Sequence, residues 1–264
     1  MRPGRRLALG FRRTSGPAWG RPSVHRPFAA WIAASVSIRR GDRNLAVNGE
    51  VWIGVDEQVR SIFPSMAGLA AQDVPEENVR SAAIRLSYGD FDYSTAGDLT
   101  NSTFDGALPW RDIETAAART SGPVEVAVTP HHGMFDATGA NMARTLSPRI
   151  WVIPAWHAAH PSLSTLDRLF NPRLYPGPRD VFATGLDQAT AAASPWLMGR
   201  LASRNGHVVV RVAPGGRTYR IVVTDNADER DRVKAIFGPF AAAGPVGAII
   251  PAPTRAAPGT PESP

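Results

Sequence analysis

The sequence predicts a mixed α and β domain between two tails, and three observations predict it. The chain has 264 residues, 43% hydrophobic and 20% charged, enough for one sizeable core and too apolar for a disordered segment. From about residue 81 to residue 237, stretches that alternate apolar and polar residues are interspersed with stretches at helical spacing. The two ends show neither period: residues 1–27 mix Arg, Pro and Gly, and residues 245–264 contain six prolines.

Taken in order, residues 81–88 place Ala82, Ile84, Leu86 and Tyr88 on one face and Ser81, Ala83, Arg85 and Ser87 on the other. Gly89-Asp90 marks a two-residue hairpin turn, because glycine supplies the positive φ such turns require. The return strand, 91–96, sets Phe91, Tyr93 and Thr95 against Asp92, Ser94 and Ala96. A helix over 110–119 follows, then Val124, Val126 and Val128 at period 2, ending at Pro130-His131-His132-Gly133. A helix over about 138–147 leads to a buried strand, 149–154. Ser162 or Ser164 caps a helix whose Leu163, Leu166, Leu169 and Phe170 share a face. Strands are predicted at 179–184 and 207–213, and Pro214-Gly215-Gly216 turns the second into 217–223, with Tyr219, Ile221 and Val223 inward. A last helix is predicted over about 227–237. The limits drawn are an arm at 1–45, a domain at 46–240 and a Pro/Ala-rich disordered tail at 241–264.

The formal charge of +6 is unevenly placed. Residues 1–43 hold ten arginines and one acid, which leaves 19 basic and 22 acidic side chains for the rest. The body is therefore mildly acidic and lacks the basic stripe of a nucleic-acid groove. The arm is read as solvated, with nucleic-acid binding as its alternative role. Within it, residues 28–38 form an apolar stretch after a basic region, as in an export signal, yet the stretch is short and runs into Arg39-Arg40. A cytoplasmic location is favoured, with export as the alternative. No apolar run reaches the length of a spanning helix. The chain has no cysteine, which excludes disulfides, thiolate zinc sites and cysteine nucleophiles together. Any metal must be held by imidazole and carboxylate.

The polar residues fall just past strand ends. Asp98 follows one predicted strand, His131 and His132 a second, His157 and His160 a third. Loops at such ends are where open α/β sheets place their chemistry. These side chains make a hard-ligand set suited to zinc, manganese or iron. Trp151 and Trp156 flank the third loop, with core packing as their first reading, and His25 and His207 are read as arm and surface residues.

The run ENVRSAAIRLSYGDFDYSTAGDL, followed by VAVTPHHGMF and then HPSLSTLDRL, resembles the metallo-β-lactamase superfamily. It is most similar to the branch containing the hydrolase domain of the competence protein ComEC, where an Asn-x-x-Ser strand, a Thr-Gly-Asp loop, a Pro-His-His-Gly-Ser loop and a His-Pro helix start occur in this order. The resemblance covers residues 76–223. It implies an α+β fold, an αββα sandwich of two mixed sheets between helices, with one or two zinc ions at the sandwich edge (manganese or iron as alternatives). It implies a metal-dependent hydrolase in which metal-activated water attacks an ester, phosphodiester or amide of a small-molecule or nucleic-acid substrate. By the same resemblance Asp98 is a bridging metal ligand, and one of His131 and His132 is a ligand, His132 by preference, with the other meeting the substrate. His131 and His160 are the expected catalytic residues, although the resemblance assigns His160 no role, and Asn78 and His157 are expected at the substrate.

The sequence also departs from that family. His-x-His-x-Asp-His, which supplies most of the ligands, is absent; only His25 precedes His131. The loop reads Ala-Gly-Asp, and Met134 stands where the competence branch has serine. Asp98 with one or two histidines falls at or below the three protein ligands of a catalytic zinc. The expectation is thus a foreign or mis-started leader joined to the C-terminal half of such a domain, with its apolar sheet face exposed and a homo-oligomer or a missing half as partner. The alternative function is a non-catalytic truncated or degenerate relative that folds or acts only with a partner.

Overall fold

The computed structural model describes residues 7–10, 42–52, 58–193, 195–227 and 229–243. The export-signal stretch 28–38, His25 and the proline-rich stretch from 245 lie outside the described residues. The fold is mixed α+β in three layers: helices, an eight-stranded mixed sheet, and a four-stranded antiparallel sheet.

The large sheet runs β4 (Val59–Ser61), β3 (Glu50–Trp52), β2 (Asp42–Val47), β5 (Ala83–Tyr88), β6 (Phe91–Thr95), β7 (Val126–Val128), β8 (Ile150–Ile153) and β9 (Asp180–Ala183). Its first part is antiparallel, and β6 to β9 are parallel neighbours in chain order. Successive parallel strands stepping one way, with crossovers of the usual right hand, place their helices on the same face. Those helices are α1 (Ile113–Ser121), α2 (Ala140–Leu146) and α3 (Leu163–Phe170), followed after β9 by the short α4 (Gln188–Ala193) and α5 (Pro195–Met198). Between helices and sheet lies a core that includes Leu99, Ile113, Leu146, Trp151, Ile153 and Leu166.

The other face of the large sheet is covered by β1 (Leu7–Gly10), β10 (His207–Val212), β11 (Thr218–Thr224) and β12 (Val233–Ala241), paired in the order β1-β10-β11-β12. Val208, Val210, Tyr219, Ile221 and Val223 meet Phe91, Tyr93, Val126, Val152 and Phe182 in a second core. From β5 to β9 the large sheet is thus buried on both faces, which corrects the expected exposed apolar face there: the partner layer is this small sheet. On its outer side Arg211, Arg220 and Ile236 are exposed. β2 begins at Asp42 and crosses the 45/46 limit, with Leu45 and Ala46 buried.

The hairpin β5–β6 turns at Gly89-Asp90 with Tyr88 opposite Phe91, and both strands keep the predicted faces. α1 starts three residues later than expected, because Pro109–Arg111 forms a 3-10 turn and Asp112 caps the helix, its carboxylate accepting from Thr115 N at 2.9 Å. Ser162 is the cap of α3, accepting from Thr165 N; Leu166, Leu169 and Phe170 are buried, but Leu163 is exposed. The helix expected at 227–237 is replaced by strand β12 from Val233. Its Ala235, Phe237 and Phe240 pack against the second core, and it pairs the edge of β11, whose backbone groups need partners. The predicted tail limit at 241 also moves: Ala241 ends β12, and Ala243 N donates to Glu125 Oε1 at 2.8 Å. No helix among the described residues is long and apolar enough to cross a membrane.

Candidate functional site

Three adjacent parallel strands end side by side, and each delivers one part of the site. β6 leads through Ala96-Gly97 to Asp98, β7 leads to His131 and His132, and β8 leads to the loop carrying Trp156, His157 and His160. The chain turns sharply after β7: His131, His132 and Gly133 have φ of 45°, 55° and 73°. Left-handed backbone at two successive non-glycine residues costs energy that surrounding contacts must offset. They do: His131 N donates to Gly97 O at 3.0 Å, Ser162 N to Gly133 O at 2.9 Å, and Met134 O accepts from Thr165 Oγ1 at 2.9 Å.

His131 is held at both ring nitrogens. The Asn78 amide Nδ2 donates to Nε2 at 3.2 Å, so the ring proton is on Nδ1, which donates to Asp136 Oδ1 at 3.0 Å. His132 is held at one. Its Nδ1 donates to Pro154 O at 2.9 Å, and its Nε2 lies 3.7 Å from Asp98 Oδ1. Asp98 is in turn placed by its backbone N, which donates to Ser81 Oγ at 3.1 Å. Asn78 lies in a 3-10 turn ahead of β5 rather than on a strand, so the Asn-x-x-Ser run reaches the site from a turn.

The His160 ring stacks on His132, with centroids 4.6 Å apart and planes 16° from parallel. Trp156 meets both rings edge-on, at 6.2 and 5.5 Å. Burial, helped by the neighbouring His132, His157 and His131, lowers the His160 pKa to about 4, with Asp98 opposing; the ring is neutral at pH 7. Its Nδ1 is buried without a hydrogen-bond partner among the described residues. His157 is exposed, its Nδ1 accepts from Ala159 N at 3.1 Å, and it touches the Trp156 and His160 rings.

Every predicted site residue therefore reaches one loop cluster. Trp151 belongs to the core, fully buried with its indole N–H donating to Tyr175 OH. Trp156 is 55% exposed at the histidines, so its reading as core is corrected. His207, read as a surface residue, is buried at the start of β10. Sequence reasoning missed Asp136, five residues past His131. It also missed Glu114, fully buried on α1, which accepts from Thr138 N, Gly139 N and Asn101 Nδ2 at 2.6–2.9 Å. Arg168 grips the same loop from the other side through the Ala137 and Thr138 carbonyls. Burial raises the Glu114 pKa to about 7 despite these three hydrogen bonds.

The donor chemistry at Asp98 and His132 suits zinc: one carboxylate, and one imidazole whose other nitrogen is fixed by a carbonyl, as ligand histidines usually are. Two donors are fewer than a catalytic zinc takes, and among the described residues no group of three or more His, Asp or Glu stands close enough to hold an ion. No protein-family model matches the chain, and a search of curated proteins gives no match either.

Proposed function

We propose that this chain is a metal-dependent hydrolase of the metallo-β-lactamase kind, with its chemistry at the ends of β6, β7 and β8. The observation that carries the proposal is the pair His132 Nε2 and Asp98 Oδ1, an imidazole nitrogen and a carboxylate oxygen 3.7 Å apart, which a cation between them would join. The convergence of Asn78, Ser81, Asp98, His131, His132 and His160 on that point supports the sandwich fold of that superfamily as well. Asp98 and His132 would hold zinc, which supplies a hydroxide nucleophile near neutral pH by lowering the pKa of its water. His131, locked between Asn78 and Asp136, presents a ring of fixed tautomer to the substrate. His160, kept neutral, braces His132 by stacking. Trp156 shields that stack from water.

The small donor count favours a second reading, a non-catalytic relative that acts only with a partner completing the ligand set. Calorimetric titration with zinc alone tests the first. Because the ligands must be ordered as the ion binds, we expect weak, single-site binding that dialysis against a chelator reverses and that Asp98→Ala and His132→Ala each weaken sharply. Absence of zinc binding by the unaltered chain, or binding indifferent to both substitutions, overturns it.

A further inference from the structure

The outer side of the small sheet carries a groove of about 370 Å³, a size that holds a small ligand. Its lining comes from β10, β11, β12 and the turn at Pro214, and the histidine loops contribute none of it. Arg211 of β10 and Arg220 of β11 stand directly opposite one another in the antiparallel register, and both are exposed. Side chains so paired have Cβ atoms about 4.5–5.5 Å apart, and like charges placed there destabilise the pairing. Among the described residues nothing offsets that repulsion. Residues 207–224 contain no Asp or Glu, and no other charged residue lines the groove. Neither guanidinium has a hydrogen-bond or ion-pair partner among the described residues.

β12 shapes the side of the groove next to Arg220. Its register against β11 shifts between Tyr219 and Ile221, so that Gly238 and Pro239 together face Arg220. A bulge of this kind bends its strand and re-aims neighbouring side chains. Pro239 lines the groove there, beside the cross-strand pair Val222 and Ile236. Val222 is buried, whereas Ile236 is 58% exposed. Two cations thus adjoin an apolar strip.

Guanidinium groups offer N–H donors in pairs, a geometry that carboxylates and phosphates both match. Charge separates the two. A carboxylate neutralises one arginine and leaves the other, while a phosphate monoester brings a charge of about −1.5 to −2 at pH 7 and three acceptor oxygens. The strip at Val222 and Ile236 suits the carbon skeleton of the ester, which gains roughly 25 cal/mol for each Å² removed from water. A nucleic-acid strand would want aromatic faces for its bases. The one aromatic residue in the lining, Tyr219, has its side chain buried in the second core.

We propose that this groove binds a small organic phosphate monoester, with its dianionic head between Arg211 and Arg220 and its apolar part on Val222 and Ile236.

The test titrates the full chain with hexyl phosphate while NMR follows the Val222 and Ile236 methyl signals. Hexanoate, hexanol and inorganic phosphate are titrated in parallel. We expect saturable shifts with hexyl phosphate, binding roughly tenfold tighter than hexanoate or inorganic phosphate, and no shift with hexanol. Arg211→Gln and Arg220→Gln should each weaken binding roughly fivefold or more. Arg217→Gln, exposed in the neighbouring turn but outside the lining, should leave it within about twofold. Thermal unfolding without ligand checks the folding of the variants, and the shifts in the unaltered chain locate the ligand whatever the variants do. Absence of binding, shifts at other methyls only, or equal affinity for hexanoate overturns the proposal. Equal affinity for inorganic phosphate removes the apolar strip from it and overturns the monoester as ligand. Equal weakening by Arg217→Gln overturns it in favour of diffuse attraction to a basic surface. Binding to vesicles of phosphatidylserine and phosphatidylcholine without binding to hexyl phosphate overturns it in favour of a membrane surface.

Discussion

His131 and His132 are adjacent in sequence yet differ in what their rings can do, and the difference lies in their second nitrogens. Both nitrogens of His131 are engaged, by Asn78 and Asp136, whereas His132 keeps Nε2 directed at Asp98. Substitutions should therefore separate. Asp98→Ala, removing the carboxylate, is expected to be the most damaging change to both zinc binding and activity, and His132→Ala the next. Each should exceed the roughly 10–100-fold that loss of an outer partner costs a metal site. His131→Ala should lower turnover while leaving zinc affinity within a few-fold, and His160→Ala should be milder than either. Zinc titration, zinc-dependent ester hydrolysis and thermal unfolding of the four variants check this order; normal zinc binding and activity in Asp98→Ala would end the site assignment. The histidines and Asp98 were legible in the sequence because strand-end loops and a Pro-His-His-Gly turn are local patterns. Asp136, the Pro154 carbonyl and the position of Trp156 were not, because they depend on how the loops after β7 and β8 fold back on each other.

Hairpin turns join the two sheets as well as closing their own strands. The Gly89 turn of the large sheet and the Gly215-Gly216 turn of the small one touch backbone to backbone: a Cβ on Gly216 would lie 1.8 Å from Tyr88 O, and one on Gly89 2.0 Å from Gly215 O. Gly215 has nothing within 4 Å of its Cβ, although its φ of 85° is as unusual as the 78° of Gly216. Gly215→Ala should thus cost only the conformational strain, about 1–2 kcal/mol, while Gly216→Ala should cost more, because the two turns must also separate. Urea unfolding of the two variants measures the difference; equal midpoints would show that the contact between turns contributes nothing. Both turns were readable from their glycines, and so were the flanking strands, whose alternation survives in the two cores. The last helix was misread because Asp228 to Lys234 is a charged run without period, and only the unpaired edge of β11 decides that the residues after it form a strand. The contact between the two turns was equally invisible, since nothing local records that Gly89 and Gly215, 126 residues apart, meet.

Buried ionisable groups give the whole molecule a pH dependence made of two opposed slopes. Burial raises the pKa of Glu114 from 4.5 to about 7, and burial also raises those of Asp112 and Glu125. A carboxyl whose folded pKa exceeds its unfolded one binds more protons in the folded state over the interval between them, so its contribution to stability falls as pH rises through that interval. For Glu114 the window runs from 4.5 to about 7, and the loss is on the order of 3 kcal/mol. His160 acts the other way. Its folded pKa of about 4 lies below the ordinary 6.5, so the unfolded chain takes up a proton that the folded one refuses, and stability falls as pH drops from 6.5 to 4. The two slopes overlap and offset one another between pH 4.5 and 6.5. Replacing His160 by Asn, which cannot titrate there, should uncover the carboxylate slope, making the variant more stable at pH 5 relative to pH 7 than the unaltered chain is. Replacing Glu114 by Gln should shift that pH 5 to pH 7 comparison in the opposite direction, whatever it does to absolute stability. Unfolding free energies of the three proteins at both pH values decide it. If His160→Asn leaves the pH 5 to pH 7 difference unchanged, the imidazole is not held neutral by its surroundings, and the tightly stacked His132–His160–Trp156 arrangement does not describe the protein in solution.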